Sequence, residues 1–120
     1  YKVLIVDDEV DTLRLLSKIL QADGHQVIEA MDGQTALDKY RQEAPDLILL
    51  DILIPHIDGI EVLKRIRSTD QATGIIIVSA LTSEKLMVEA MLSGADDYIS
   101  KPFTLKEIRE HIRRALERVP

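Results

Sequence analysis

Five short runs set the rhythm of the chain: Val3–Val6, Gln26–Ile28, Leu47–Leu50, Ile75–Val78 and Tyr98–Ile99. The first, third and fourth are continuously apolar rather than alternating, the pattern of strands buried on both faces. Between the runs, apolar positions recur at helical spacing. Val10, Leu13, Leu16 and Leu20 make a first such face, stopped by Gly24, and Ala36, Leu37 and Tyr40 a second, closed by Pro45. Ile60, Leu63 and Ile66 make a third, and Met87, Ala90 and Met91 a fourth, closed by Gly94. Leu105, Ile108, Ile112, Ala115 and Leu116 make the fifth and clearest, with Thr104 and Glu107 at capping-box spacing at its start. Strand–helix units in succession predict an α/β fold, a parallel sheet with helices on both faces. Hydropathy alone leaves the strand order open.

With 120 residues, 46% hydrophobic and 30% charged, the chain is long enough for one core, and a single domain over 1–120 is expected. The chain opens at Tyr1 inside an apolar run and stops at Pro120 just past a helical pattern, so both ends are expected to be trimmed from a longer protein. The absence of Cys excludes disulfides, thiolate metal sites and Cys nucleophiles, and agrees with a reducing, cytoplasmic setting. No apolar run approaches the ~20 residues of a membrane span, so no membrane contact is expected. Charge is uneven. Residues 1–62 hold 13 acids against 5 bases, whereas 63–120 hold 8 against 10. An acidic first half repels phosphates, and four aromatics are too few for a base-stacking platform, so direct nucleic acid contact is not expected. The acidity invites a divalent cation instead.

Ligands of open parallel sheets bind beyond the carboxyl ends of the strands. There the first strand runs into Asp7-Asp8-Glu9, the third into Asp51, the fourth into Ser79 and the fifth into Ser100-Lys101-Pro102. Each has an ordinary reading alone: acids at a helix start, a turn residue, a structural hydroxyl, a solvated lysine. Those readings do not explain why all fall on one edge. Clustered carboxylates repel unless a cation joins them, and Mg²⁺ takes oxygen ligands from one or two carboxylates while keeping waters. An Asp beside such a cation and a lysine is a workable phosphoryl acceptor, able to form an acyl phosphate.

These residues resemble the receiver domain of bacterial two-component response regulators. The matching pieces are Val6-Asp7-Asp8-Glu9, Leu50 to Pro55 followed by Asp58-Gly59, Val78-Ser79-Ala80, and Gly94 to Phe103. The resemblance implies a flavodoxin-like, doubly wound sheet of five parallel strands in the order 2-1-3-4-5 with five helices. It implies that Asp51 is phosphorylated, that Asp7, Asp8, Asp51 and the main-chain carbonyl of Leu53 hold Mg²⁺, and that Ser79 and Lys101 contact the phosphoryl group. It further implies a cis Lys101–Pro102 bond. Phosphorylation would draw the Ser79 hydroxyl in and turn Tyr98 inward, changing the face made by the fourth helix, fifth strand and fifth helix. The implied partners are a sensor histidine kinase or His phosphotransfer protein, and an output domain or effector reading that face. The resulting reading is a switch in a phosphorelay, not an enzyme in its own right.

Four positions depart from the usual pattern: Ile54, Gly74, Met87 and His111. Met87 and His111 replace two basic residues of the charge-paired dimer of the winged-helix transcription-factor branch, although Glu107 is kept. Such a dimer is therefore not expected, and Met87 is read either as core or as an apolar contact. Leu53 and Leu81 flank the implied path of attacking water without a polar group to orient it, which predicts a long-lived phosphoryl group. A haloacid-dehalogenase-like phosphatase would need Asp-x-Asp after the first strand, where Asp7 and Glu9 stand. A flavin module would need a phosphate-cradling loop there, which Asp7-Asp8-Glu9 would repel. A receiver-like domain that had lost phosphotransfer would not keep the full set of Asp7, Asp8, Asp51, Ser79 and Lys101. No Gly-x-x-x-x-Gly-Lys motif is present, which excludes a P-loop.

Overall fold

The computed structural model describes residues 1–119. In chain order it holds β1 (Lys2–Val6), α1 (Val10–Ala22), β2 (Gln26–Ala30), α2 (Gly33–Glu43), β3 (Leu47–Leu50), α3 (Gly59–Arg67), β4 (Gly74–Ser79), α4 (Glu84–Leu92), β5 (Asp97–Ser100) and α5 (Leu105–Glu117). The strands are all parallel and lie in the order β2-β1-β3-β4-β5, as the resemblance implies. No helix among the described residues is long and apolar enough to cross a membrane.

The continuous apolar runs have a direct cause. Successive strand residues point to opposite faces, and both faces are covered. Leu4, Val6, Ile48, Leu50, Ile75 and Ile77 enter one core with Ala36 and Leu37 of α2 and Ile60, Leu63 and Ile66 of α3. Val3, Ile5, Leu47, Leu49, Ile76 and Val78 enter the other with Leu13, Leu16 and Leu20 of α1 and Ile108, Ile112 and Leu116 of α5.

Helix ends follow the local chemistry. Thr104 and Glu107 form the reciprocal capping box expected at the start of α5. Asp32, Asp58 and Ser83 cap α2, α3 and α4 through side-chain oxygens. Several expectations need correction: Val10 and Leu105, placed on the first and fifth apolar faces, are exposed, and the fourth strand runs one residue past its apolar run at each end, to Gly74 and Ser79. The fifth strand extends one residue each way, to Asp97 and Ser100, because strand pairing with β4 covers polar residues that hydropathy cannot flag. The fourth apolar face is not buried as a unit: Ala90 is fully buried, Met87 only partly so, and Met91 is exposed.

Candidate functional site

The carboxyl edge of the sheet gathers the strand-end residues. Asp7 follows β1 and donates its amide to the Ala30 carbonyl of β2; Asp51 follows β3 and donates its amide to the Val6 carbonyl. Parallel pairing thus carries past the strand ends and sets both acids side by side. Asp7, Asp51 and Ser79 are buried, at 2%, 6% and 1% exposure, whereas Asp8 faces solvent. One carboxylate oxygen from each of Asp7, Asp8 and Asp51 lies within 4.8 Å of the others.

Lys101 joins this cluster from the segment after β5. Its Nζ donates to Asp7 Oδ2 at 2.7 Å and to Asp51 Oδ2 at 2.9 Å, and stands 3.5 Å from exposed Glu9. Its main-chain amide is held by the Ser79 carbonyl at 2.9 Å, and the Lys101–Pro102 peptide is cis. Burial works against the ammonium, but its bonds to Asp7 and Asp51 outweigh that cost and raise its pKa above the ordinary lysine range. Burial raises the Asp7 pKa, and the bonds from Lys101 and the Glu9 amide oppose this only in part. Three acids with one close ammonium form an oxygen-rich, charge-deficient cluster, and this donor set suits Mg²⁺.

The loop after Asp51 is held tightly. Asp51 Oδ1 accepts the Ile52 amide at 2.7 Å, and the Gly59 amide donates to the Ile52 carbonyl at 2.8 Å. A Cβ at Gly59 would fall 2.1 Å from the Asp51 carbonyl oxygen, so only glycine lets α3 start this close beneath Asp51. Gly33, at the start of α2, packs on the same loop, where a Cβ would fall 2.0 Å from the Ile57 carbonyl. His56 adopts a left-handed φ of 70°, costly for a side-chain-bearing residue. The Thr35 amide bond is the main reason Asp32 is held below the ordinary carboxylate range, and the nearby His56 adds to it. The sequence pattern assigns no role to Gly59, Gly33 or His56. The Asp58-Gly59 pair carries the only signal.

Ser79 and Tyr98 meet through one residue. The Leu81 amide donates to Ser79 Oγ at 3.1 Å, and the Tyr98 hydroxyl donates to the Leu81 carbonyl. Tyr98 is partly buried against the core, and burial raises its pKa. Leu53 is 62% exposed at the mouth of the site. The geometry therefore brings together Asp7, Asp8, Asp51, Lys101 and, one step away, Ser79, Leu81 and Tyr98.

Comparison with known proteins places the chain in a family. The family described as "Response regulator receiver domain" matches residues 3–113. The transcriptional regulatory protein TrcR of Mycobacterium tuberculosis is 40% identical over 117 residues, covering 98% of this chain and 46% of its own length. The chemotaxis protein CheY of Bacillus subtilis is 37% identical over 117 residues, covering 97% of this chain and 98% of its own. The chain thus spans about half the length of the transcriptional regulators it matches and nearly all of the chemotaxis protein. A crystal structure of a CheY-like receiver domain protein from Methanospirillum hungatei superposes with a TM-score of 0.93 at 31% identity, covering 97% of this chain and 93% of that one. The chain belongs to the response regulator receiver domain family, the phosphoacceptor signalling switches of two-component systems.

Proposed function

We propose that Asp51 is the phosphoryl acceptor of this switch, with Asp7, Asp8, Lys101 and Ser79 as its machinery. The observation that carries this reading is the bridging of two buried carboxylates, Asp7 and Asp51, by Lys101 beside a third acid at the carboxyl edge. Asp7, Asp8, Asp51 and the Leu53 carbonyl would hold Mg²⁺, which supplies neutralisation of charge on the phosphoryl oxygens. An Asp51 carboxylate oxygen attacks phosphorus in a phosphohistidine donor; the O–P bond forms, the P–N bond breaks, and the imidazole leaves and takes a proton from solvent. The Lys101 ammonium, held against Asp51, is placed to follow the added charge onto a phosphoryl oxygen. The Ser79 hydroxyl now accepts from Leu81 and keeps its own proton to donate.

Movement of Ser79 toward the new phosphate shifts Leu81, and Leu81 carries Tyr98 with it. The donor is a sensor histidine kinase or His phosphotransfer protein, and the face of α4, β5 and α5 is what an output domain or effector reads. Relatives support both arrangements of output, since some continue for about twice this length and others are as short as this chain. Incubation with acetyl phosphate and Mg²⁺ is expected to add one phosphoryl group by intact mass, and Asp51→Asn is expected to prevent it. Stoichiometric labelling of Asp51→Asn would overturn the assignment.

A further inference from the structure

α4 is held unlike the other helices. α1 buries Leu13, Leu16, Ser17, Ile19 and Leu20, and α5 buries Ile108, Ile112, Ala115 and Leu116, whereas α4 buries Ala90 alone. Val88, Met91 and Leu92 are exposed on α4. Its mid-helix tie to α3 is an exposed ion pair, Lys64–Glu89 at 3.5 Å, of a kind that contributes little.

The two ends of α4 differ sharply. Beyond its carboxyl end, Arg67 of α3 lies buried and commits three nitrogens: Nε to the Gly94 carbonyl at 2.8 Å, Nη1 to the Asp70 carbonyl at 3.1 Å and Nη2 to Asp96 Oδ2 at 3.0 Å. The same Asp96 oxygen accepts the Ile75 amide at 2.8 Å, and the Asp96 amide donates to the Ile75 carbonyl at 2.8 Å, so the anchor is tied into β4. Gly94 has φ +109°, and a Cβ there would fall 2.7 Å from Arg67 Cγ, so the arginine stem occupies the space that a side chain would need. At the amino end, residues 82–85 are exposed and the cap is the exposed bond from the Leu86 amide to Ser83 Oγ. Immediately before it stands Leu81, bonded to Ser79 and Tyr98.

We propose that Arg67 is the fixed pivot of α4: the helix swings by its amino end, driven by the loop at Leu81, about the Gly94–Asp96 anchor. Arg67 is a positioning residue, 27 and 29 positions in sequence from the groups it holds. A buried guanidinium fork with three committed donors resists displacement in every direction, whereas a helix with one buried residue has little to resist rotation about that point. The cause of the swing rests on the proposed roles of Ser79 and Tyr98, but the anchoring does not.

Amide hydrogen exchange separates the two. In the resting protein, Ser93 and Ala95 at the carboxyl end are expected to exchange more slowly than Met87 and Val88 at the amino end. Arg67→Met is expected to speed Ser93 and Ala95 by about 10- to 100-fold, the loss typical of a charge-assisted hydrogen bond, while leaving the amides of β1 and β3 protected. Asp96→Asn, milder because it keeps an acceptor for Ile75, is expected to move the same amides in the same direction, and stands in if Arg67→Met does not fold. Beryllium fluoride with Mg²⁺ is expected to change exchange at Met87 and Val88 and to spare Ser93 and Ala95. Uniform exchange along resting α4, or Arg67→Met and Asp96→Asn variants that keep the gradient, would overturn the pivot. Equal changes at both ends on activation would overturn it as well. A resting gradient lost in Arg67→Met, with no response of α4 to beryllium fluoride, would uphold the anchor and overturn the swing, whereas wild type that acetyl phosphate fails to label, with the gradient intact and lost in Arg67→Met, would overturn the acceptor reading and leave the anchor standing.

Discussion

At the amino-terminal edge of the sheet, Asp70 accepts four hydrogen bonds: the Ala72 and Thr73 amides on one oxygen, the Tyr40 and Thr73 hydroxyls on the other. At the carboxyl-terminal edge, Asp7, Asp8 and Asp51 crowd within 4.8 Å with Lys101 bridging two of them. Burial opposes the charge on Asp70, yet its hydrogen bonds hold the carboxyl well below the ordinary range, and Tyr40, partly buried and bonded to it, is pushed up to about 12. Asp7 is displaced the other way, because burial outweighs its partners. The same side-chain chemistry thus gives a closed network at one edge and an under-neutralised cluster at the other. A closed network rigidifies; an under-neutralised one gains from any further positive charge, and from relief of its own.

The sharpest way to break this contrast is Lys101→Met. It leaves two buried carboxylates facing each other, and urea unfolding without divalent cation is expected to show a loss of about 3–5 kcal/mol. Saturating Mg²⁺ is expected to restore part of that loss; a variant as stable as wild type would mean that the lysine balances nothing. Next comes Asp8→Ala. Wild type is expected to gain about 2.7 kcal/mol at a Mg²⁺ concentration one hundred times its Kd. The variant is expected to lose most of that gain while being at least as stable as wild type without metal, since it removes a repelling charge. A melting temperature that still climbs with Mg²⁺ as in wild type would exclude Asp8 as a ligand.

Asp70→Asn probes the closed edge, with an expected cost of about 2 kcal/mol at neutral pH for lost hydrogen bonds to a charged acceptor. The two edges are also expected to answer acid oppositely. The Asp70 pKa is depressed by folding, so its contribution is present above about pH 4, the unfolded carboxyl range, and lost as pH falls below it. The Asp7 pKa is raised by folding, so its favourable contribution is present at low pH and lost as pH rises through its elevated value. Urea midpoints measured across the acid range are therefore expected to flatten at the low end in Asp70→Asn, and to improve toward neutrality in metal-free Asp7→Asn. Parallel profiles for the two variants would erase the distinction.

The smallest effect concerns the mouth of the site. Leu53, exposed, and Leu81, partly buried, offer no polar group to a water approaching Asp51. Leu53→Asn and Leu81→Glu are each expected to shorten the phosphoryl lifetime on the order of tenfold, about 1.4 kcal/mol of barrier. Single-turnover decay in excess Mg²⁺ reads this directly, and unchanged decay in both variants would place lifetime control with Ser79 and Lys101.

Much of this is legible in the order of the amino acids. The continuous runs at β1, β3 and β4 announce double burial because the strands lie at the centre of the sheet, where both faces are covered. Asp7, Asp51, Ser79 and Lys101 are legible because in a parallel sheet the end of each strand reports the edge it reaches. Leu53 enters only through family resemblance, since a main-chain carbonyl leaves no mark on composition. β5, at the sheet's edge, carries polar residues at both ends and blurs its own limits. The burial of Arg67 is hidden because a charged residue at the end of an amphipathic helix reads as solvated; its partners arrive from 27 and 29 residues away. The partial exposure of the Met87, Ala90 and Met91 face is hinted at by Val88 and Leu92, which spoil a clean apolar stripe.

Leu81 carries a consequence for how such a domain can change over generations. Both of its ties, the amide to Ser79 and the carbonyl to Tyr98, are main-chain groups. Every amino acid except proline supplies the same pair. On the proposed switch, the wire between chemistry and conformation is therefore indifferent to the side chain, which packs only partly against the core. If Leu81→Glu shortens the phosphoryl lifetime as expected, a lineage could retune how long its signal lasts, by substitution at this position, without rewriting how the signal is transmitted. On that outcome, clock and wiring share one residue yet remain separately heritable.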